Sequence, residues 1–310
     1  MGKNLKQQLT YAVRQSAAFG QSKHTDKGLG KSGVRHDGRT YSYRALSARL
    51  DVAKNFAGFM HKNHPEIRMA RDVTGAHVNE FLTIKSANVT QATLDTYAAN
   101  LRSVLKEVEN AYHCSIPDRT TINAPRVERE AWRTMPMRAE DISRLHASYK
   151  PGSNGDKALV ISHATGARAE EICGLRRESV RFVREDLAQV HFSGNITKGG
   201  RDRIVDVTNP HDIRELHRVV EITPQNGRIV PIKHSSLQKS VERHMKELGV
   251  KDRYKFTSIH AMRKEWAQRT YDRFRQNHNK YETIKYTNTQ LGHGADRDVI
   301  LLERYCENIW

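Results

Sequence analysis

The chain has 310 residues, which is long for one domain and comfortable for two, each with its own core. Its 52 Lys and Arg residues against 35 Asp and Glu give a net charge of +17, typical of a protein that binds nucleic acid, although ribosomal and membrane-surface proteins share this balance. No apolar run approaches the ~18 residues of a membrane span, no signal peptide is evident, and three scattered cysteines exclude a disulfide framework or zinc ribbon, so we expect a soluble cytoplasmic protein.

Four amphipathic helices are predicted in the first third of the chain, because apolar residues recur there at steps of three and four. These predicted helices span residues 4–19, 43–61, 75–85 and 90–112. Thr90 is a candidate N-cap for the last of them. Residues 20–40 are rich in Gly, Ser, Lys, Arg and His and predict a basic loop or arm between the first two helices. Together these features indicate a small all-α domain at residues 1–113.

Residues 114–137 combine prolines with arginines and lack a periodic apolar pattern, which predicts a basic interdomain linker. After it, helices are predicted at 139–148, 157–164, 168–175, 212–220 and 235–248. Short runs rich in β-branched and aromatic residues predict a three-stranded antiparallel sheet with strands at 180–183, 189–192 and 203–207. The expected fold class is mainly α: a four-helix N-terminal domain and a mixed α/β domain at 138–310.

Two arginines stand in motifs that share a three-residue spacing. Arg168 follows the Thr165-Gly166 turn at the start of a predicted helix, and Glu171 lies three residues later, so the carboxylate can hold the guanidinium. His260 and Arg263 repeat the spacing beside an apolar stripe on another helix. Each pair alone is more often a surface salt bridge or a solvated helix face.

The order of these motifs along the chain changes that assessment. In sequence they are Thr165-Gly166-Ala167-Arg168, Lys198 on the turn between the second and third strands, His260-Ala261-Met262-Arg263, Leu291-Gly292-His293 and Tyr305. Guanidinium groups suit the non-bridging oxygens of a phosphodiester, and a tyrosine hydroxyl can attack its phosphorus. Histidines can move the protons that such a reaction requires. The set indicates a site that cuts DNA.

With this residue order the chain resembles the tyrosine recombinase, or phage integrase, family over residues 138–310. The four-helix pattern is similar to that family's core-binding domain, and residues 20–40 would then be a basic insert between its first two helices. The resemblance implies that Arg168 and Arg263 clamp the scissile phosphate, with Glu171 supporting the first arginine. It also implies that His293 bonds a phosphate oxygen and that Tyr305 is the nucleophile.

The resemblance further implies a 3′-phosphotyrosine intermediate and a free 5′ hydroxyl. His260 would accept the tyrosine proton, and Lys198 would protonate the departing 5′ oxygen. Because the covalent link preserves the energy of the broken bond, rejoining needs no fuel, and no metal or other cofactor is expected. The chain is therefore expected to be an enzyme of DNA strand breakage and rejoining.

The expected partners are duplex DNA recombination sites, a homotetramer of the chain on paired sites, and an accessory DNA-bending protein as a further candidate, with no membrane partner. The expected location is the nucleoid. The predicted helices at 90–112 and 235–248 are candidates for the DNA groove. The residues proposed to contact DNA are Lys31, Arg35, Arg102, Arg126, Arg129, Lys239, Arg243 and Lys264.

The role within the family stays open between an integrase or excisionase of a mobile element and an Xer-like chromosome-dimer resolvase. The basic insert favours a mobile element. So does the interval between His293 and Tyr305, which is longer than the family's usual one and predicts an insertion near residues 294–298. A type IB topoisomerase-like enzyme and a non-catalytic DNA-binding relative are the remaining alternatives.

Overall fold

The computed structural model describes residues 4–21, 39–127, 135–197, 200–254, 257–293 and 305–306. The chain divides into two compact units, Met1–Glu130 and Ala131–Trp310, each with its own hydrophobic core. Its described residues form eleven α-helices and a three-stranded antiparallel sheet, which confirms the predicted mainly α fold class. Over these same ranges, no helix is both long and apolar enough to cross a membrane.

Four helices build the first unit, as the apolar periodicity predicts. They are Leu5–Gln15 (α1), Tyr43–Asn63 (α2), Gly75–Ser86 (α3) and Gln91–Tyr112 (α4). Asn4, Ser42 and Thr74 cap the first three helices by accepting hydrogen bonds from backbone N–H groups. Thr90 occupies the N-cap position of α4, but its hydroxyl contacts Thr93 Oγ1 at 3.1 Å instead of a backbone N–H.

An aromatic pair lies in the core of the first unit. Phe56 of α2 and Phe81 of α3 are buried with ring centroids 5.5 Å apart, in an edge-to-face arrangement. Residues 114–127, which the composition predicts as linker, add Ile116 and Ile122 to the same core. This segment has no helical periodicity, yet it packs on the first unit because its turns bury single apolar side chains.

A buried carboxylate joins three segments of the first unit. Glu107 of α4 accepts hydrogen bonds from the guanidinium of Arg49 and, at 3.0 Å, from the hydroxyl of Ser16. The hydroxyl of Thr40 lies 3.5 Å from the same carboxylate oxygen. The Glu107 side chain is fully buried, so α1, α2 and α4 meet at one charged group.

The same cluster closes the base of the basic insert predicted at residues 20–40. The N–H of Thr40 donates to Ser16 O at 2.8 Å, and Ala17 pairs with Thr40 in an isolated parallel β-bridge. Residues 22–38 of the insert lie outside the described residues. The two chain ends that flank it are thus fixed to each other.

Glu107→Gln is expected to remove a pH dependence from the stability of the first unit. Burial raises the pKa of Glu107 to about 7, although Arg49 and the nearby hydroxyls oppose this rise. Since the folded-state pKa exceeds the unfolded value of 4.5, the stability present below that value is lost as the pH rises through about 7. We expect the wild-type free energy of unfolding, relative to the variant, to fall by about 3 kcal/mol over this range.

Hydrogen exchange of buried α4 amides measures the stability of this unit within the full chain. Glu109→Gln is the matched control on the same helix. Burial would raise the pKa of Glu109, but the N–H of Ile116 and the guanidinium of Arg119 outweigh burial and lower it. Wild-type stability relative to this control variant should therefore rise with pH only up to about 4.5 and stay constant above it. A difference between wild type and Glu107→Gln that stays constant with pH would contradict the assignment.

The second unit contains seven helices and the sheet within its described residues. The helices are Ala139–Ala147 (α5), Asn154–Thr165 (α6), Ala169–Gly174 (α7), Pro210–Glu221 (α8), His234–Glu247 (α9), Ile259–Arg275 (α10) and Lys280–Gln290 (α11). The strands are Val180–Arg184 (β1), Leu187–Phe192 (β2) and Arg203–Val207 (β3). Helix α6 begins earlier than predicted because the hydroxyl of Ser153 accepts a hydrogen bond from the N–H of Asp156.

The sheet has the order β1-β2-β3 and contributes one face to the core. Val190 of β2 pairs with Val180 of β1 and with Val205 of β3, and all three are buried. Because side chains alternate along a strand, Arg203 shares the inward face of β3 with Val205. It pairs with Phe192 and is itself buried.

Helix α11 has no counterpart in the sequence prediction. Its buried face is largely polar and includes Thr283, Thr287 and Asn288. The hydroxyl of Thr283 donates to Asn279 O at 2.7 Å, and that of Thr287 donates to Thr283 O at 2.8 Å. These local bonds satisfy the hydroxyls, so the helix can bury a face that an apolar periodicity does not reveal.

Candidate active site

The first predicted motif lies where α6 ends and α7 begins. Gly166 has φ +59° and ends α6, with its N–H donating to Ser162 O at 2.8 Å. A Cβ at this position would lie 2.5 Å from Trp266 Cε3, so the turn packs against the indole only as glycine. This turn brings Arg168 to the N-cap position of α7.

Gly166→Ala is expected to destabilise the second unit by about 3 kcal/mol, as the sum of left-handed backbone strain and the clash with Trp266. Gly249→Ala is the matched control, since Gly249 has φ +68° but nothing within 4 Å of an added Cβ. The control should lose only ~1 kcal/mol. Urea unfolding of both variants measures the difference. Equal losses would show that the contact with Trp266 has no energetic weight.

Arg168 is held on one edge by a buried carboxylate. Its Nη1 donates to Glu171 Oε1 at 2.9 Å, and its backbone N–H donates to Oε2 at 2.7 Å. Burial alone would raise the pKa of Glu171, but the hydrogen bonds and charges of the surrounding arginines, Arg203 first, lower it to about 2. The carboxylate therefore stays ionised at neutral pH, while 22% of the Arg168 side chain remains exposed.

Arg203 is a member of this cluster that the sequence motifs do not identify. Its Nη1 and Nη2 donate to the two oxygens of Glu171 at 2.7 and 2.8 Å. Its guanidinium carbon lies 4.4 Å from the centroid of the Phe192 ring. The position of Arg203 two residues before Val205 on β3 was the available signal, because it places the arginine on the same buried face as the valine.

Arg263 links the first motif to the Leu-Gly-His turn. The side chain is completely buried, with Nη1 donating to Gly166 O at 2.5 Å and Nη2 to Leu291 O at 2.6 Å. Burial lowers the pKa of Arg263 to about 10, so it remains a cation at neutral pH. Its guanidinium carbon lies 5.6 Å from the centroid of the Tyr305 ring.

Two histidines contact the same tyrosine. The ring centroid of Tyr305 lies 5.7 Å from that of His260 and 5.1 Å from that of His293. Asn288 of α11 accepts a hydrogen bond from the backbone N–H of His293 at 2.9 Å, and its Oδ1 lies 3.2 Å from His293 Nδ1. Asn288 was missed from the sequence together with its helix. Tyr305 is 8% exposed within this arrangement.

The structure thus brings five of the six predicted catalytic side chains into one region of the second unit. They are Arg168, His260, Arg263, His293 and Tyr305. The sixth, Lys198, and the predicted insertion near 294–298 lie outside the described residues. Fixed guanidinium groups beside a phenol and two imidazoles can stabilise charge on a phosphodiester and transfer protons.

The residues predicted to contact DNA differ in how exposed they are. Arg126, Lys239 and Arg243 are exposed. Lys31, Arg35 and Arg129 lie outside the described residues. Arg102 donates from Nη1 to Ile122 O at 2.9 Å and so holds the segment after α4. The prediction for Lys264 needs correction: it is 2% exposed, because α10 is buried on most of its sides.

Metal coordination has no evident site in the part of the chain that the structure describes. No group of three or more His, Cys, Asp or Glu side chains is arranged there to hold a metal ion. Arg263 supplies positive charge near Tyr305, and its pKa is lowered first by burial and also by the nearby Arg168.

Comparison with known proteins reveals a shared fold. No protein-family model and no curated protein matches the chain. The XerH site-specific recombinase, in a post-cleavage complex with palindromic difH substrate, aligns with a TM-score of 0.64 and 15% identity over 96% of this chain and 90% of that chain. A lambda integrase tetramer bound to a Holliday junction aligns with a TM-score of 0.62 and 14% identity over 95% and 76% of the two chains.

A lambda integrase fragment bound to DNA also aligns, with a TM-score of 0.61 and 14% identity over 94% of this chain and 93% of that chain. The chain therefore has the fold of these recombinases. This confirms the fold expected from the tyrosine recombinase resemblance.

Proposed function

We propose that this chain, which has the tyrosine recombinase fold, is a site-specific DNA recombinase that cuts and rejoins strands through a 3′-phosphotyrosine at Tyr305. The observation that carries the proposal is the packing of Tyr305 against His260, His293 and Arg263 in one cluster. Recombinases of the same fold bound to DNA support a duplex DNA substrate.

The proposed reaction uses only side chains. Arg168 and Arg263 offset the charge that builds on the non-bridging oxygens of the phosphate. The hydroxyl of Tyr305 attacks the phosphorus while its proton passes to His260. The P–O5′ bond breaks, and Lys198 donates a proton to the departing 5′ oxygen. One P–O bond replaces another, so the 5′ hydroxyl of a second strand reverses the step without ATP.

Binding of DNA is coupled to movement of Tyr305 in the proposed reaction. Arg263 has no exposed surface, and the Tyr305 ring is one of the groups that pack against its guanidinium. A scissile phosphate reaches that guanidinium only if groups around it move, and the ring that must also approach the phosphorus is the candidate. A desolvated cation interacts strongly with an entering anion, which favours the exchange. His293 then bonds a phosphate oxygen.

The two units take different roles in the proposal. Residues 1–113 form the core-binding domain, with 114–127 added because they pack on it, and residues 138–310 form the catalytic domain. Exposed cations such as Lys239 and Arg243 supply phosphate contacts, so binding weakens steeply with salt. A tetramer on two DNA sites is supported by the lambda integrase tetramer bound to a Holliday junction.

Within this class we favour an integrase or excisionase of a mobile element, assisted by a DNA-bending protein. The basic insert at 20–40 and the long interval between His293 and Tyr305 support this choice. The fold favours neither this role nor an Xer-like resolvase, since lambda integrase and XerH match it with TM-scores of 0.62 and 0.64.

The test begins with duplexes selected for binding from a random-sequence pool. A selected site is then placed in a duplex with a nick beside the expected cleavage position, so that the cut strand end diffuses away and the adduct accumulates. We expect an SDS-resistant adduct that forms in EDTA without ATP. Mass spectrometry of the nuclease-treated adduct should place the nucleotide on the peptide that contains Tyr305.

Strand exchange separates the alternatives. Two labelled duplexes with the selected site should yield recombinant products, as a recombinase requires. Relaxation of supercoiled DNA without recombinants would indicate a topoisomerase-like enzyme instead. Specific binding with no adduct on any nicked position would leave a non-catalytic DNA-binding relative and overturn the proposal.

A further inference from the structure

We propose that Arg203 is a positioning residue of this site: it sets the orientation of Arg168 and of the turn that carries His293, without contacting the phosphate itself. The inference rests on the proposed function. It assigns a role to a buried arginine that lies outside the Arg, His and Tyr motifs.

The contact between Arg203 and Glu171 fixes a carboxylate plane. Two parallel N–H···O bonds of 2.7 and 2.8 Å join the planar guanidinium to both carboxylate oxygens. The two side chains are 5% and 1% exposed, so water does not compete for these bonds. A bidentate pair constrains both the distance and the rotation of the carboxylate, which a single donor does not.

Glu171 passes this constraint on to Arg168. Each oxygen that accepts from Arg203 also accepts from Arg168: Oε1 from Nη1 at 2.9 Å and Oε2 from the backbone N–H at 2.7 Å. The edge of Arg168 held by Glu171 is thereby fixed, and the exposed part of its side chain is the part available to a phosphate. A rotation of the carboxylate would therefore turn this exposed part.

A second contact joins Arg203 to the turn before His293. Gly292 has φ +69°, and a Cβ there would lie 3.0 Å from Arg203 Cδ and 3.2 Å from Nη1. The glycine lets the turn lie directly on the arginine side chain. His293 follows Gly292 directly. The position of Arg203 therefore restricts where the His293 side chain leaves the backbone.

A loss of stability and a loss of positioning have different consequences for cleavage. Replacing a whole buried ion pair by apolar groups costs little net stability, but removing Arg203 alone leaves the buried Glu171 carboxylate with Arg168 as its remaining partner, so stability falls as well. That fall acts alike on every substrate, whereas the orientation that the fork of Arg203 imposes on Glu171 and Arg168 matters most for a charged phosphate.

The experiment compares two scissile linkages in the nicked duplex: the natural phosphodiester and a methylphosphonate, in which a methyl group replaces one non-bridging oxygen and removes the negative charge. The methylphosphonate keeps one non-bridging oxygen and carries one negative charge fewer throughout the reaction, so its cleavage depends less on a well-placed Arg168. We expect R203M to slow adduct formation on the phosphodiester by about 10- to 100-fold. On the methylphosphonate the rate should change by less than about threefold.

R203K keeps the charge but lacks the fork, so it should lose about tenfold on the phosphodiester only. It also decides the question if R203M does not fold. R218M is the matched control, because Arg218 makes a bidentate pair with Asp156, at 2.9 and 3.1 Å, at the start of α6. Its rates should match wild type on both linkages.

Equal losses of R203K or R203M on both linkages would show a merely structural role and overturn the inference. Unchanged rates on the phosphodiester, with a normal wild-type adduct, would overturn it too and leave the proposed function intact. Absence of any adduct with the wild-type chain would instead overturn the proposed function, and this inference with it.

Discussion

Tyr305→Phe is expected to abolish the covalent protein–DNA adduct, with a loss of roughly 10³-fold or more, and to leave DNA affinity unchanged. The substitution removes only the hydroxyl that attacks the phosphorus. The ring contacts with His260 and His293, at 5.7 and 5.1 Å between centroids, do not need that oxygen. Adduct formation on the nicked duplex is followed on a denaturing gel, and affinity by fluorescence anisotropy of the intact site.

Tyr271→Phe is the control for this result. Tyr271 is a second tyrosine of the same unit, 4% exposed on α10, and it also lies in the interval between His260 and Tyr305. Its variant should form adduct at the wild-type rate. Adduct that persists in Tyr305→Phe and disappears in Tyr271→Phe would reassign the nucleophile.

Arg168→Ala should slow adduct formation by roughly 10²- to 10³-fold, the usual cost of removing one donor that stabilises transition-state charge. Its effect on folding should be small, at less than about 1 kcal/mol. Glu171 keeps both bonds from Arg203, so the buried carboxylate is not left without a partner. Single-turnover adduct rates and urea midpoints measure the two effects separately.

Arg168→Lys refines the test, since it retains the charge without the planar fork and should have an intermediate rate. A wild-type rate for Arg168→Ala would exclude contact between this residue and the reacting phosphate. A rate loss matched by a comparable loss of stability would identify Arg168 as a folding residue instead.

The sequence predicted those parts of the fold that repeat locally. Helices such as α2 and α4 have apolar residues at every third or fourth position, and β3 alternates. Helix α11 was missed because Thr283 and Thr287 satisfy their own hydroxyls and bury a polar face. Lys264 was misplaced for a related reason: α10 is buried on most sides, so a charged residue did not mark an exposed face.

Part of the candidate site, like part of the fold, could be predicted from the sequence, and part could not. Arg168 and Arg263 stand in ordered motifs, and the family resemblance carried by that order predicted their roles. The partnership of Arg203 with Glu171 joins residues 32 positions apart and arises only when the tertiary fold brings side chains of β3 and α7 together. Arg263 likewise bonds carbonyls 97 and 28 positions away. Such pairings follow from tertiary packing, which no local pattern specifies.

The insert at residues 20–40 suits exchange for other sequences, because the chain segments at its two ends are bonded to each other. Ser16 and Thr40 bond each other, so the flanking helices keep their spacing whatever chain is placed between them. Each doubling of the number of residues between two fixed chain ends adds only ~0.6 kcal/mol of loop-closure entropy. Sequences of different length or charge can therefore be exchanged there while the helical scaffold keeps its contacts.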